Sequence, residues 1–518
     1  MYMGEALVKG LSRCIAALFA GLMALVLLVV LICFEGTSFS CKRAFILPQW
    51  VMLLCGAAVL VGLCLLMNRK AGAPFRQRRV LPVLAWLALL CAQLVLCFHA
   101  YFITGWDARG IVESAYALAG GEADIHAGYL GMYPNNIPLV LLDAAIIRVL
   151  RLVLGNPGLD RCIYVLIACQ CVLNMATGML LHRIAAHETH SRRFAWGAAI
   201  VYMAFVGLSP WLMIPYSDSM ALIFPTAVIA VEQAYREGRL RQAAWPLMGL
   251  LAALGYLIKP QAAIAAIAVA LMETARTIAH GGWTKGIRRV GCMALAFALL
   301  AGPVRQMAVN ASPIDVRPER NIGMLHFVMM GLNEETNGVY DYDDVVLSCS
   351  ASTPGERRAV QMEEIRRRLS SMTAGELLEH LKKKTLTNYA DGTFAWGCEG
   401  EFFSRWIEDK DDVLSPLLKS FINTRDAHFQ ILLTCLHGIW LALLLGCVLY
   451  GASQLFGRGQ ESGTVGVMML SIIGLTLFEW IFEARARYLF LYAPFYVLLG
   501  TYGWGQTAAR LRRRIAGE

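Results

Sequence analysis

The sequence predicts an all-α polytopic membrane protein, and three observations carry that prediction. Of its 518 residues, 58% are hydrophobic and only 16% charged, where globular domains run near a quarter charged. Mean hydropathy is +0.55. The apolar residues also arrive in blocks of about 15 to 24, the length that crosses a hydrocarbon core. Lipid offers no partner to backbone N–H and C=O groups, so the blocks are helices. Their lengths give a bundle of about 12 transmembrane helices.

The basic residues set the topology. Arg69, Lys70, Arg76, Arg78 and Arg79 form one cluster, Arg236, Arg239 and Arg241 a second, and Lys285, Arg288 and Arg289 a third. Arg510, Arg512, Arg513 and Arg514 close the chain. All flank apolar spans, as cytoplasmic segments do. The net charge of +9 therefore reflects membrane orientation, and no nucleic-acid partner is expected.

With those clusters inside, spans 11–33 and 46–67 make a hairpin and 80–103 leads out to a polar loop, 104–136. The first apolar stretch is too long for a typical signal-peptide core and lacks a small-residue cleavage site, so it is expected to be a retained anchor. Four apolar blocks follow, near 136–155, 161–182, 195–209 and 217–235, where an odd number of crossings is needed. The short block 195–209 is the expected exception, which leaves His187, His190, Arg192 and Arg193 outside. Lys259-Pro260 divides 243–277 into two short spans, because proline removes a donor and clashes with the preceding turn. Spans 290–304, 429–451, 465–482 and 489–505 complete the set.

Four regions result: a hairpin with its cytoplasmic loop (1–79), a transmembrane module bearing the outer loop (80–304), an extracytoplasmic region (305–428), and the last spans with a cytoplasmic tail (429–518). The third is expected to be too small and irregular for a large folded domain. Its helical stretches 355–372 and 374–384 have a basic face suited to the membrane surface. The 15 cysteines lie mostly in apolar spans. Cys41, Cys349 and Cys398 fall outside, where one disulfide among them is allowed. No Cys/His group has metal-site spacing, and HETH (187–190) lacks a third ligand nearby.

Asp107, in GWDARG, is the leading catalytic candidate. A carboxylate at the bilayer edge can take a proton from an attacking hydroxyl; its alternative role is a helix N-cap. Glu113 and Asp124 in the same loop are expected to be solvated charges. Tyr133, Asn135 and Asn136, in YPNN, either cap the next helix or meet a sugar or phosphate. Asp218, in PYSDS, is costly in an apolar span unless paired or wet. Lys259 is an intramembrane cation suited to a lipid phosphate, or one that snorkels to the interface. Arg485, Arg487 and Tyr488, in EARARY, suit fork-like phosphate binding, unless Glu483 pairs locally with one arginine. Trp396 and Glu399, in TNYADGTFAWGCEGEFF, suit a sugar-binding surface. The run 329–344 is expected as a loop packed on the same cavity.

The order of these motifs resembles the GT-C superfamily of integral membrane glycosyltransferases, near the bacterial branch of protein O-mannosyltransferases and lipid A aminoarabinose transferases. The likeness covers most of 80–505. It implies Asp107 as general base and Lys259, Arg485 and Arg487 as holders of a polyprenyl phosphate. One inverting displacement then passes a sugar to a glycan, protein or glycolipid acceptor outside the plasma membrane. A monophosphate donor needs no metal, and no other cofactor is implied; membrane lipids are the remaining partner. A two-helix hairpin before the loop-bearing span, and the lack of a clear DxD or ExD motif, set the chain apart from better-known branches. The rivals are a transporter or flippase of a lipid-linked or polar solute, which commonly shows repeated halves that are not found here, and a polysaccharide polymerase or ligase.

Overall fold

The computed structural model describes residues 2–34, 37–38, 41–42, 45–67, 80–122, 126–311, 317, 319–399, 401–407, 410–456 and 463–515. Asp124, the basic cluster at 69–79 and the side chains of Cys41, Arg513 and Arg514 lie outside the described residues. The chain is α-helical apart from two short antiparallel pairs, β1 (Thr37–Ser38) with β2 (Cys41–Lys42) and β3 (Phe102–Ile103) with β4 (Arg405–Trp406).

Three long helices come first, α1 (Tyr2–Cys33), α2 (Gln49–Met67) and α3 (Val80–Ala100). The loop after α3 folds into α4 (Trp106–Gly120) and α5 (Ala127–Met132), then runs into α6 (Ile137–Leu154). Next come α7 (Leu159–Thr189), α8 (Arg192–Tyr202), the one-turn α9 (Ser217–Met220), α10 (Ile223–Arg236), α11 (Ala244–Ile258), α12 (Ile264–His280) and α13 (Trp283–Ala311). The stretch between α13 and α19 holds α14 (Met324–Gly331), α15 (Tyr342–Cys349), α16 (Pro354–Ser371), α17 (Ala374–Tyr389) and α18 (Leu414–Ile422). The chain closes with α19 (Ala427–Phe456), α20 (Gly463–Ile481) and α21 (Ala493–Ile515).

Among the described residues, eight helices are long and apolar enough to cross a membrane. Beside them pack α8, α10 and α11, of 11, 14 and 15 residues, and the 23-residue α21. The two ends of the bundle are fixed by contacts. Gly463, which starts α20, lies against Arg236 and Arg276 at the ends of α10 and α12. Glu479, near the other end of α20, accepts a bond from the Arg485 backbone. The 19 residues of α20 put about 28 Å between the basic end and the opposite one.

This geometry corrects two expectations about 136–236. Helix α6 does not cross: it lies along α4, with Arg148 Nη2 donating to Leu118 O at 3.0 Å and Arg151 Nη2 to Tyr116 O at 3.3 Å. Its exposed Leu152 and Val153, 87% and 75% accessible, suit a helix lying in the interface. The block 195–209 is helical and leads away from the basic end, α8 continued by a π-helical turn at Met203–Gly207. Helices α7, α8 and α10 then give the odd count. The turn 187–193 also moves to the basic end, because Gln233 Nε2 donates to Glu188 at 2.7 Å and His187 pairs with Glu237 at 3.3 Å. His187, His190, Arg192 and Arg193 therefore obey the charge rule.

The core centres on α19 and α21. Gly446 and Gly503 let their backbones touch: a Cβ on Gly503 would sit 1.9 Å from Gly446 O. Small residues at such contacts are how membrane helices gain packing without a hydrophobic drive.

The stretch from α14 to α18 is more regular than its sequence suggests. Helices α16 and α17 start with capping boxes, Thr353 with Glu356 and Thr373 with Glu376, each satisfying two orphan N–H groups. Arg357 ties α16 to the carbonyls of Ser348, Asn321 and Ala351 at 2.8, 3.0 and 3.0 Å. Helix α17 extends past its expected end at 384, and its second half is buried rather than lying on a surface. Lys384, expected on the basic face, is 0% exposed and donates to Gly331 O, Trp480 O and Phe482 O at 2.7, 2.8 and 2.7 Å. It thereby caps the carboxyl ends of α14 and α20. Cys398 is disulfide-bonded, whereas Cys349 is a free thiol.

Candidate functional site

The end of the bundle opposite the basic loops gathers charged residues from five separate segments. Each is delivered by a local break in regular structure.

The first is the turn after α3. Strand β3 pairs with β4, Phe102 opposite Trp406 and Ile103 opposite Arg405, and Gly105 N donates to Glu401 O at 2.9 Å. A Cβ at Gly105 would meet Glu401 O at 2.3 Å, so only glycine allows this approach. Trp106 follows with φ 45, a left-handed conformation that is a true outlier for a bulky residue. Such strain persists only where the surroundings enforce it, and it concentrates at functional sites.

Asp107 lies in the first turn of α4 and is not its cap. Gly105 occupies that position, and no side chain caps the helix. Burial pushes the Asp107 carboxyl above its usual range, with Arg487 as the main opposing influence. The Tyr129 hydroxyl lies near enough to Asp107 to feel its charge and accepts from Asn136 Nδ2 at 2.7 Å. Asn136 is the N-cap residue of α6, but its amide serves Tyr129 instead of the helix. Tyr133 stacks obliquely on Tyr129, with ring centroids 5.1 Å apart, and feels the Asp107 charge. Asn135 is exposed and donates only to its neighbour Asn136, at 3.1 Å.

The second and third segments meet in an ion pair. Asp218 is in the first turn of α9, behind the N-cap residue Tyr216. Lys259 is at the C-cap of α11, with φ −150 and ψ 115, where Pro260 ends the helix. Lys259 hydrogen-bonds Asp218, and both are buried. Its ammonium also sits 4.2 Å over the Tyr488 ring.

The fourth is the turn between α20 and α21. Ala484 N donates to Gly338 O at 2.8 Å, which seats the turn on the 329–344 segment. Arg485 Nη1 donates to Glu399 at 2.7 Å and Arg485 Nε to Glu483 at 2.9 Å. Arg487 lies over Trp106, its Cζ 4.5 Å from the ring centroid, and 5.3 Å from that of Tyr216. Its Nη1 is 3.2 Å from Glu399 and its Nε 3.8 Å from Asp218. Tyr488 donates to Glu483 at 3.3 Å.

The fifth segment supplies Glu399, which joins both arginines. Burial pushes its carboxyl up, but Arg485, Arg487 and Lys259 together pull it below the usual range. Both guanidiniums stay charged, because Glu399 and its neighbours outweigh the cost of burial.

Asp107, Asp218, Lys259, Glu399, Arg485, Arg487 and Tyr488 are thus brought together; Tyr133 and Asn136 approach through Tyr129. Asn135 faces away. Trp396 is a correction: it is 0% exposed, donates from Nε1 to Ile422 O at 2.9 Å, and packs edge-on against Phe402 at 4.8 Å. It is core, not a sugar platform. Both arginines are already paired with protein carboxylates, Glu483 holding Arg485 locally. Glu113 is no free surface charge, since it bonds Arg109 at 2.8 Å and His126 at 2.7 Å. The sequence carries no separate signal for Trp106, Tyr129 or Tyr216 beyond the adjacency of Trp106 to Asp107 and the nearness of Tyr216 to Asp218.

Five carboxyl groups (Asp107, Asp218, Glu399, Glu479 and Glu483) therefore surround three cations. Among the described residues no group of three or more His, Cys, Asp or Glu is placed to hold a metal ion. On the other face of α4 a cavity of about 20 Å³, bordered by Thr104, Ala108, Arg109 and Val112, has room for one water at most.

The family model described as "Conserved hypothetical integral membrane protein" matches residues 7–508. The chain belongs to that family, and it is a multi-pass integral membrane protein. None of the curated proteins matches it.

Proposed function

We propose that this family member is a membrane glycosyltransferase, one that moves a sugar from a polyprenyl-phosphate donor to an acceptor outside the cell, at the plasma membrane. The observation that carries the reading is the meeting of Asp107 with Lys259, Arg485 and Arg487 at one end of the bundle, a spanning helix away from the basic loops. The positive-inside rule makes that end the extracytoplasmic one. The site then faces the leaflet in which a lipid-linked donor presents its phosphate.

In this mechanism Asp107 accepts the proton of the acceptor hydroxyl as its oxygen attacks the anomeric carbon. The bond to the lipid phosphate breaks in the same displacement, so configuration inverts. Tyr129, itself held by Asn136, orients the Asp107 carboxylate. Negative charge developing on the leaving phosphate is met by preorganised cations, the arrangement that lowers such barriers most. Burial raises the affinity of Asp107 for a proton, which makes it a better base than an ordinary aspartate.

A transporter is the second reading, favoured by the Lys259–Asp218 pair between two broken helices, a pattern transporters share. Reconstitution with a radiolabelled polyprenyl-phosphate sugar separates them. The enzyme reading expects Asp107-dependent release of polyprenyl phosphate in detergent, where no membrane exists to be crossed. Full turnover in Asp107→Asn, or sugar-lipid movement across vesicles without bond cleavage, would exclude it.

A further inference from the structure

The three cations of the site are held in different ways. Lys259 hydrogen-bonds Asp218 directly. Arg485 makes two well-formed bonds, to Glu399 at 2.7 Å and Glu483 at 2.9 Å. Arg487 makes none that qualifies: its Nε and Nη1 are buried and have no hydrogen-bond partner, although Glu399 lies 3.2 Å and Asp218 3.8 Å away. The facing Asp218 Oδ2 is likewise buried and unpaired. Buried donors without acceptors are costly and rare, so a cluster of them marks a place that a ligand completes.

Arg487 is also the cation with an aromatic platform. Its guanidinium lies over Trp106, whose φ of 45 is strained and whose Nε1 is buried without a partner. The Gly105–Glu401 contact enforces that conformation, and Tyr216 closes the other edge at 5.0 Å from Trp106. A stacked guanidinium keeps its in-plane N–H groups directed away from the ring, toward whatever approaches the edge of the stack.

We infer that Arg487 alone among the three cations contacts the substrate, and that it takes up an oxyanion: the phosphate of the lipid-linked donor. Lys259 and Arg485 form the frame, and Trp106 is the positioning residue that presents Arg487. The identity of the anion as a lipid phosphate rests on the glycosyltransferase reading; the division of labour among the cations does not. Binding is an exchange in which Arg487 trades its misaligned contacts with Glu399 and Asp218 for bidentate ones to phosphate.

The test measures binding and stability separately on the full chain in detergent. Undecaprenyl phosphate and inorganic phosphate are titrated against wild type, Arg487→Gln, Arg485→Gln, Trp106→Phe and Trp106→Gly, with Tm followed in parallel. Arg487→Gln should weaken undecaprenyl phosphate binding at least tenfold and lower Tm less than Arg485→Gln does, since it loses charge balance with Asp218 and Glu399 but no hydrogen bond. Arg485→Gln should lower Tm clearly. Trp106→Gly, which suits a positive φ but loses the ring packed on Phe402 and Tyr216, should lose binding together with some Tm, while Trp106→Phe keeps an aromatic ring and loses less of both. Wild-type affinity in Arg487→Gln, or lost binding at unchanged Tm in Arg485→Gln, overturns the inference; so does a wild type that binds neither probe. Binding of both probes in this pattern without any sugar transfer keeps the anion site and rejects the glycosyltransferase reading.

Discussion

Replacing Lys259 with methionine tests how the charged cluster is held together. Lys259 and Asp218 are 4% and 1% exposed, and the ammonium bonds the carboxylate directly. Removing one partner of a buried pair costs about 3–5 kcal/mol, because the other charge is left in a low dielectric. Here Asp218 is not abandoned, since Arg487 Nε stands 3.8 Å from its second oxygen. Unit charges about 4 Å apart attract by roughly 4 kcal/mol at an effective dielectric near 20. Arg487 makes no hydrogen bond to that oxygen, so it compensates only in part. The loss on Lys259→Met should therefore fall at the low end, about 3 kcal/mol. Asp218→Asn leaves Lys259 with the Tyr488 ring at 4.2 Å and should cost a similar amount. The double variant has no stranded charge from this pair. It should lose about 3–4 kcal/mol, not the roughly 6 of independent sites, a coupling of about 2–3 kcal/mol. The assay is reversible unfolding of all four proteins in one detergent. Losses that add, with coupling under about 0.5 kcal/mol, would refute the pair and the convergence built on it.

Further outcomes follow from other parts of the molecule. Asp107 binds its proton more tightly in the fold than in the unfolded chain, so ionising it costs stability as pH rises through the window above the ordinary aspartate value. Asp107→Asn should therefore be at least as stable as wild type at neutral pH, checked by Tm, even as it loses turnover. Burial pulls the Lys384 ammonium down to about 7 against roughly 10.4 when unfolded, despite the opposing pull of Glu479 and Glu483. The folded state then gains as the charge is neutralised, and Tm should climb between pH 7 and 9 in wild type but stay flat in Lys384→Met. Trp396→Ala should cost about 3–5 kcal/mol as a core cavity, with ligand affinity of the folded fraction unchanged. Gly503→Leu should abolish folding, monitored by gel filtration, because the Gly446 carbonyl occupies the space a Cβ needs.

The parts legible in sequence were those where charge or proline interrupts an apolar run. Lys259-Pro260 breaks its helix as proline must, and Asp218, Arg485 and Arg487 stood out because a charge in such a run needs a reason. Their meeting point followed from alternating helix direction. What was hidden depended on contacts across long separations. Glu399 reaches Arg485 from 86 positions away in an irregular segment, where no period tells inward from outward side chains. The same lack of period made Trp396 look like surface. Helix α6 was taken for a crossing because its length sufficed; Asp143, Arg148 and Arg151 in its middle were the warning. Once α6 is removed from the spans, the turn at 187–193 returns to the basic end and the conflict with the charge rule disappears.

The excess of carboxylates bears on how any anion would bind. Three cations in a low dielectric need counter-charges before a ligand arrives, and Asp218, Glu399 and Glu483 supply them. A fully paired frame is rigid but leaves no net attraction for phosphate; free cations would attract it but would be costly to bury. The observed arrangement divides the problem. Two cations are locked by hydrogen bonds, and the third is balanced by charge alone, on an aromatic platform, with its donors unspent. An incoming phosphate then has to outcompete only misaligned contacts, and its binding releases Glu399 and Asp218 for new partners. On the proposed mechanism Glu399 stays ionised while the anion binds, because Arg485, Arg487 and Lys259 hold its carboxyl below the usual range, so donor affinity should respond to ionic strength and not to mild acid. A transfer rate with a single acidic limb, set by ionisation of Asp107 above the ordinary aspartate range and with no alkaline limb from Glu399, is the signature this geometry demands.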